Sequence, residues 1–519
     1  MSPNQVLVAP PVEEAPASTP TVAVRNTTRA LQIPLLALSV FAVTFVLRAV
    51  RLATSWDIHV DEITYLRIAE EAAAHGHIRL YGEPFYLHPP GFFYLEALFV
   101  KIVAPTGYII EQIYTTRYII VLLAALSAVL ILVIGQRLAG WGAGLVASTI
   151  FALDPFVIRT NSRNMLETPA LFWVLLGYAA LITRDGRGPT RWRLVVGAGA
   201  FGMALLTKDM TAFLTLLPLG ICFVAGWAIG RRQAFFTGLL TVAFYALYPL
   251  ITFLVGDFDS FANQKLRGLL RFTGAVKESG YKRQGGPSLI DSIVQNLDQF
   301  ITTYAIILLG ALAVLILFWL GGARLRLLMI WVASAYALLT YSIIFGTLEE
   351  QFFYFLVVPA IPGIVVAASV VLRTASLSTA LHRTAAYLCA VICVAFSLWS
   401  GYIWFDIHTS PDDGYPRVRN YMLSQIPAGS RVGVTTEPAV FLMDGFASGS
   451  WGTPAALREN RAEYVLVSTK EMAQGLGYAD PTLGDWLKTN GEPIFSFTGR
   501  SNGTLILYTL PPSPLATAP

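Results

Sequence analysis

Residues 31–65 read LQIPLLALSVFAVTFVLRAVRLATSWDIHVDEITY, an apolar run that breaks at Arg51 into a short loop holding three carboxylates and a histidine. About twenty apolar residues match the thickness of a bilayer core, and in lipid a helix is the one local structure that satisfies its own backbone hydrogen bonds. Similar runs recur as far as Phe405, and 55% of the chain is hydrophobic against 13% charged. Soluble domains carry about 25% charged residues, so water is not the main solvent here. The sequence predicts an α-helical polytopic membrane protein with about eleven spans plus interfacial helices, followed by a small extracytoplasmic α/β domain.

The arginines give an expected topology, because short cytoplasmic loops collect Lys and Arg. Arg25 and Arg29 precede the first span and place the N-terminus inside; Arg184, Arg187, Arg191 and Arg193, then Arg231 with Arg232, Arg324 with Arg326, and Arg373 with Arg383 mark further inner loops. The outer segments are then 51–90, the Lys208–Asp209 turn, 257–299, 346–351 and everything after Phe405. Of the apolar segments 91–110, 118–138 and 143–158, an even number must cross. The first holds Glu96 and Lys101 and is assigned as interfacial or re-entrant, with Arg137 at an inner turn between the other two.

Residues 1–30 lack the basic-then-apolar layout of a signal peptide and are expected to form a disordered cytoplasmic tail. The membrane region is expected over 31–405, the soluble domain over 406–511 and a loose tail over 512–519. In the soluble domain, strands are expected at 431–435, 464–468, 493–497 and 504–510, with helices at 416–424 and 453–461. Cys222, Cys389 and Cys393 lie in apolar segments with no zinc-like or disulfide spacing, and the net charge of +4 is spread between spans, which excludes a nucleic-acid stripe. No P-loop, Rossmann glycine fingerprint or Gly-x-Ser-x-Gly elbow is present, and no repeat of twenty to fifty residues.

The loop after the first span is the richest in chemistry. From Glu62 to Ala74 the pattern is amphipathic, with Ile63, Leu66, Ala69 and Ala73 on one side and Glu62, Arg67, Glu70 and Glu71 on the other, as for a helix on the membrane surface. Asp61 falls at its start, where it reads equally as a helix N-cap or as a functional carboxylate. The chain returns to the surface at Tyr86-Leu87-His88-Pro89-Pro90, whose prolines aim His88 back toward the same crevice.

Four motifs follow in order: Asp61-Glu62-x-x-Tyr65, His88-Pro89-Pro90, Met165-Leu166-Glu167-Thr168-Pro169 and Leu205-Leu206-Thr207-Lys208. The set resembles the GT-C membrane glycosyltransferases, in the branch with protein O-mannosyltransferases and bacterial lipid A aminoarabinose transferases, over about residues 31–365. The resemblance implies Asp61 as catalytic base beside Glu62, and Glu167 as a second outer carboxylate, one methylene longer than the family's usual Asp. It sets His88 at the family's basic position before Pro and Lys208 at its Thr-Lys element. It also implies a polyprenyl-phosphate sugar as donor, a lipid, polysaccharide or protein as acceptor, and a divalent cation as a possible but not required cofactor.

The chemistry agrees with that implication. A polyprenyl phosphate leaves readily once cations meet its charge, so the main task is to deprotonate an acceptor hydroxyl, and one carboxylate suffices, with inversion at the anomeric carbon. Candidate substrate contacts are Tyr65, His88, Arg163, Lys208, Lys265, Arg267, Arg271, Glu350 and Tyr354. Lys265, Arg267 and Arg271 read equally as a basic helix on lipid headgroups, Lys208 as an interfacial snorkel, and Glu349 with Glu350 as an exposed acidic turn. Arg159 and Arg163 read as interface anchors or as partners of Glu167. A lipid-linked sugar flippase or other transporter, and a non-catalytic envelope scaffold, are the rival functions.

Overall fold

The computed structural model describes residues 21–184, 188–276, 288–373 and 379–511. Arg187, the first twenty residues of the expected tail and the expected loose end at 512–519 lie outside the described residues. The first helix, α1 (Thr21–Ala49), starts inside the segment expected to be a disordered tail.

After α1 come α2 (Val60–His75), a small hairpin of β1 (Arg79–Leu80) and β2 (Glu83–Pro84), and α3 (Gly91–Val103). At 13 residues α3 is about 20 Å long, too short to cross, which agrees with an interfacial helix. The next helix, α4 (Ile109–Ala139), turns at Gly140 into α5 (Trp141–Leu153), and Asp154 then breaks the path before α6 (Pro155–Thr160). The Asp154 carboxylate accepts the Val157 N–H at 3.0 Å, so the interruption is capped rather than frayed.

The bundle continues with α7 (Glu167–Leu181), α8 (Arg191–Thr207), α9 (Ala212–Ala225), α10 (Arg231–Leu254), the amphipathic α11 (Phe258–Phe272), the short α12 (Leu289–Gln295), α13 (Leu297–Leu320), α14 (Arg326–Phe345), α15 (Phe352–Arg373) and α16 (Thr379–Thr409). Six stretches among the described residues are long and apolar enough to cross a membrane: Ile109–Ala139, Arg231–Leu254, Leu297–Leu320, Ala323–Phe345, Phe352–Arg373 and the stretch from Ala380 that holds α16. Four shorter apolar helices, in α1, α5, α7 and α9, lie among the described residues beside them. Leu171, Leu175, Tyr178, Phe201, Trp331 and Phe355 form the centre of the apolar core, with Tyr178 stacked on Trp331 at 4.1 Å between ring centroids.

The two ends of this bundle differ. At one end arginines donate to helix-terminal carbonyls: Arg193 to Ala180 and Ile182 at 2.6 and 2.7 Å, Arg373 to Ala139 at 2.6 Å, Arg137 to Ile182 at 3.1 Å, and Arg324 to the Arg137 carbonyl. These are cations set against the negative ends of helix dipoles. The first loop, the α6–α7 turn, the Lys208 turn and the α14–α15 turn gather at the other end.

Beyond α16, α17 (Gly414–Gln425) leads into a five-stranded sheet of β3 (Arg431–Val434), β4 (Ala447–Gly449), β5 (Tyr464–Ser468), β6 (Glu492–Gly499) and β7 (Gly503–Thr509) in the order β4-β3-β5-β7-β6. The β4, β3 and β5 strands are parallel, while β5, β7 and β6 pair antiparallel, with Val432 opposite Tyr464 and Val465 opposite Tyr508. Short helices α18 (Glu437–Leu442), α19 (Pro454–Glu459), α20 (Thr469–Ala473) and α21 (Leu483–Asn490) fill the connections. Alternation sends Val432, Val434 and Leu466 to one face and Val465 and Val467 to the other. The first face shares one apolar cluster with Ile58, Ile63 and Leu66 of the first loop and Ile109, Ile110 and Ile113 of α4, which seats the sheet over α2.

Candidate functional site

The first loop is held by a buried cation. Arg117, in the third turn of the apolar α4, donates from Nε and Nη2 to the Glu62 carboxylate at 2.8 Å each, and from Nη1 to the carbonyls of Leu52 and Trp56 at 3.0 and 2.9 Å. Glu62 also accepts from the backbone of His59 at 3.0 Å and of Asn164 at 2.8 Å. Both side chains are 0% exposed. Burial alone would raise the Glu62 carboxyl, but the Arg117 charge and its hydrogen bonds hold it below the usual carboxylate range. The expected catalytic role of Glu62 is therefore corrected: it faces the buried side of α2, its oxygens are spent, and it anchors the loop to α4 and to the turn before α7.

Asp61, one residue earlier, has the opposite surroundings. The N-cap of α2 is His59, whose Nδ1 accepts the Asp61 N–H at 3.3 Å, so Asp61 is freed from capping. Its side chain is 35% exposed, with Oδ2 3.8 Å from the His59 ring, and it lines an open cavity of about 460 Å³. Glu167, the first residue of α7, lines the same cavity; it is 1% exposed and one of its oxygens pairs with the ammonium of Lys208, the C-cap residue of the neighbouring α8. Its second oxygen, Oε2, is buried without a partner among the described residues. Tyr65 packs below with its ring edge-on to His88, and burial followed by the charges of Asp61, Glu167 and Glu349 pushes its hydroxyl well above the ordinary range.

Cations ring the same opening. Arg159, Arg163 and Arg271 line the cavity together with Glu349 and Glu350. Arg159 is spent on Glu350 in a bidentate pair at 3.0 and 2.5 Å. Arg163 meets a hydroxyl instead of a carboxylate, donating from Nη2 to Ser501 at 2.6 Å with its guanidinium 5.6 Å from the Trp56 ring centre. Burial and then the neighbouring Arg159 lower Arg163 to about 10, which leaves it charged at neutral pH.

The remaining expected contacts fall elsewhere. His88 is half-buried against Tyr65, and burial, then Lys208, Lys265 and Arg271, push its ring well below the ordinary histidine range. Lys208 is committed to Glu167, and Lys265 to Asp209 at 2.7 Å. Arg267 is exposed on α11 and does not line the cavity. Tyr354 is 1% exposed inside α15, where its hydroxyl donates to Asn161 at 2.6 Å and braces the turn before α7. Among the described residues no group of three or more His, Cys, Asp or Glu is placed to hold a metal ion.

Sequence reasoning missed Arg117 and the contribution of the sheet. A second, smaller cavity of about 220 Å³ adjoins the first and is walled by His59, Arg159, Arg163 and Glu350 on one side and by Lys470, Glu471 and Arg500 on the other. Asp57, noted only as one acid of the loop, is buried and accepts from Asn502 at 2.7 Å and from the Tyr415 backbone at 3.2 Å. Burial and then the Asp412 carboxylate push Asp57 up to about 8.

A bundle of this order, with short broken helices beside the first loop and a sheet seated over it, has the fold of the GT-C membrane glycosyltransferases. The chain is similar to the crystal structure of ArnT from Cupriavidus metallidurans bound to undecaprenyl phosphate, with TM-score 0.53 and 13% identity over 93% of this chain and 98% of that one. It is also similar to the archaeal oligosaccharyltransferase AglB from Archaeoglobus fulgidus in complex with an inhibitory peptide and a dolichol-phosphate, with TM-score 0.54 and 12% identity over 93% of this chain and 75% of that one. No protein-family model and no curated protein matches the sequence.

Proposed function

We propose that the chain is a glycosyltransferase that moves a sugar from a polyprenyl-phosphate carrier to an acceptor hydroxyl at the extracytoplasmic surface. The observation that carries this reading is the convergence of Asp61 with Glu167 and Arg163 on one open cavity at the bundle end away from the arginine-capped carbonyls. By the charge rule the arginine-capped end is cytoplasmic, so the cavity opens outward. Support for the carrier comes from the two fold neighbours, one bound to undecaprenyl phosphate and the other in complex with a dolichol-phosphate.

In this reading Arg163 and Arg271 meet the carrier phosphate and stabilise the charge that develops as the sugar–oxygen bond breaks. Asp61 is paired with no Lys or Arg among the described residues and lines the cavity, so it takes the proton of the acceptor hydroxyl as that oxygen attacks the anomeric carbon from the opposite side. The anomeric configuration inverts and the carrier phosphate leaves with the bonding electrons. Glu167, oriented by Lys208, keeps one oxygen for the acceptor or for a cation. Membrane residues 31–405 supply this machinery, and residues 406–511 roof it.

The test is transfer by the purified protein in lipid discs, given radiolabelled polyprenyl-phosphate sugars and a panel of cell-envelope lipids, polysaccharides and proteins. Label should pass to an acceptor with wild type and not with folded Asp61→Asn. Full transfer by that variant removes the mechanism, and movement of the carrier across the bilayer without transfer favours the flippase reading.

A further inference from the structure

The turn between β6 and β7 places three consecutive side chains against the membrane region. Gly503, at φ +63°, occupies the left-handed conformation that closes this turn. Arg500 donates from Nη2 to the carbonyls of Ser55, Ile407 and Ser410 at 3.0, 2.8 and 2.9 Å. Asn502 donates to Asp57. Between them, the Ser501 hydroxyl accepts from Arg163 at 2.6 Å and donates to Asp412 Oδ2 at 2.6 Å, while the Ser501 N–H reaches both Asp412 oxygens at 3.1 Å.

A hydroxyl has one proton and two acceptor lone pairs, so Ser501 receives the guanidinium N–H while its own proton goes to Asp412, which fixes the direction of the oxygen's lone pairs. Asp412 takes that proton and is itself fixed, its backbone N–H bonded to the Thr54 carbonyl at 2.7 Å. The relay leaves Arg163 tethered at one nitrogen by a neutral group, where a direct carboxylate contact would have cancelled its charge. Its Nε is buried with no partner among the described residues, and its side chain borders both cavities. A cation held in this way is pre-organised and still able to meet an anion.

We infer that Ser501, with its proton held by Asp412, is a positioning residue that presents Arg163 to the carrier phosphate, so that the C-terminal sheet completes the donor site. This rests on the carrier-dependent function proposed above. The experiment titrates undecaprenyl phosphate alone into the full-length protein in lipid discs and reads binding by native mass spectrometry. Ser501→Ala should weaken binding about tenfold. Ser501→Thr, which keeps the hydroxyl, should stay within about twofold of wild type, and Asp412→Asn should weaken binding in the same direction by a smaller factor. In an Arg163→Ala background, Ser501→Ala should add nothing, because its effect passes through that guanidinium.

Equal weakening by Ser501→Ala with and without Arg163 overturns the inference in favour of a general structural role. Wild-type binding that is unchanged in both Ser501→Ala and Asp412→Asn also overturns it while leaving the proposed function intact. A wild-type protein that does not bind the carrier removes the functional reading and the inference together.

Discussion

The two ends of the bundle use the same cationic residues for different purposes. At the arginine-capped end, Arg137, Arg193, Arg324 and Arg373 donate to backbone carbonyls at helix ends, a structural use. At the cavity end, Arg117, Arg159, Lys208 and Lys265 each meet an acidic side chain, and Arg163 meets a hydroxyl. Acids near lipid are costly unless paired or solvated, so their collection at one end marks where polar chemistry is tolerated. Within that end the division repeats on a smaller scale: Glu62 is buried and saturated, whereas its neighbour Asp61 opens to the cavity.

The largest expected effect sharpens that last contrast. Replacing Asp61 with Asn should lower the rate of sugar transfer by about 10²–10⁴-fold, the range for loss of a general base, with little change in thermal stability. The partner of Glu62 should behave in the reverse manner. Arg117→Met strands a buried carboxylate, and chemical unfolding should show a loss of about 3–5 kcal/mol. If Arg117→Met retains full stability, the anchoring role given to Glu62 is wrong.

A pH effect should appear at the seam between loop and sheet. Asp57 is raised from the carboxylate range to about 8, so the folded protein binds this proton more tightly than the unfolded chain does. The stability it contributes is complete below the ordinary carboxylate range and is lost as pH rises through about 8. Melting temperatures recorded across this range should fall with rising pH in wild type and fall less in Asp57→Asn. The smallest effect belongs to the opposite end, where Arg193→Gln removes hydrogen bonds to three carbonyls. Unfolding should report a loss of about 1–3 kcal/mol, and transfer activity should stay within about twofold of wild type.

Much of the fold was readable because its signals are local. Apolar runs of span length, arginines between them and alternating Val and Leu in the tail led to the helices and to β3, β5, β6 and β7. The strand β4 was missed because Ala447-Ser448-Gly449 has no branched or aromatic residue to announce it. The early start of α1 was missed because the Pro- and Thr-rich tail composition outweighed helical propensity near Thr21.

The site was only partly readable, for a reason of geometry. Asp61 and Glu62 are adjacent in sequence and about 100° apart around a helix, and what separates their fates is Arg117, 55 residues away in an apolar segment. Amphipathic periodicity set Glu62 on the polar side with Arg67 and Glu70, whereas the buried face of α2 includes it. The Arg500-Ser501-Asn502 turn carried no signal, since polar residues before glycine are what any exposed hairpin turn contains.

The account depends on the cavity end being where a lipid-linked phosphate docks. A structure of the protein in a lipid disc with undecaprenyl phosphate tests this most directly. The phosphate is predicted to lie in the cavity bordered by Asp61, Arg163 and Arg271, with its chain leading outward into lipid. A phosphate seated among Arg137, Arg193 and Arg373 at the opposite end would contradict the account.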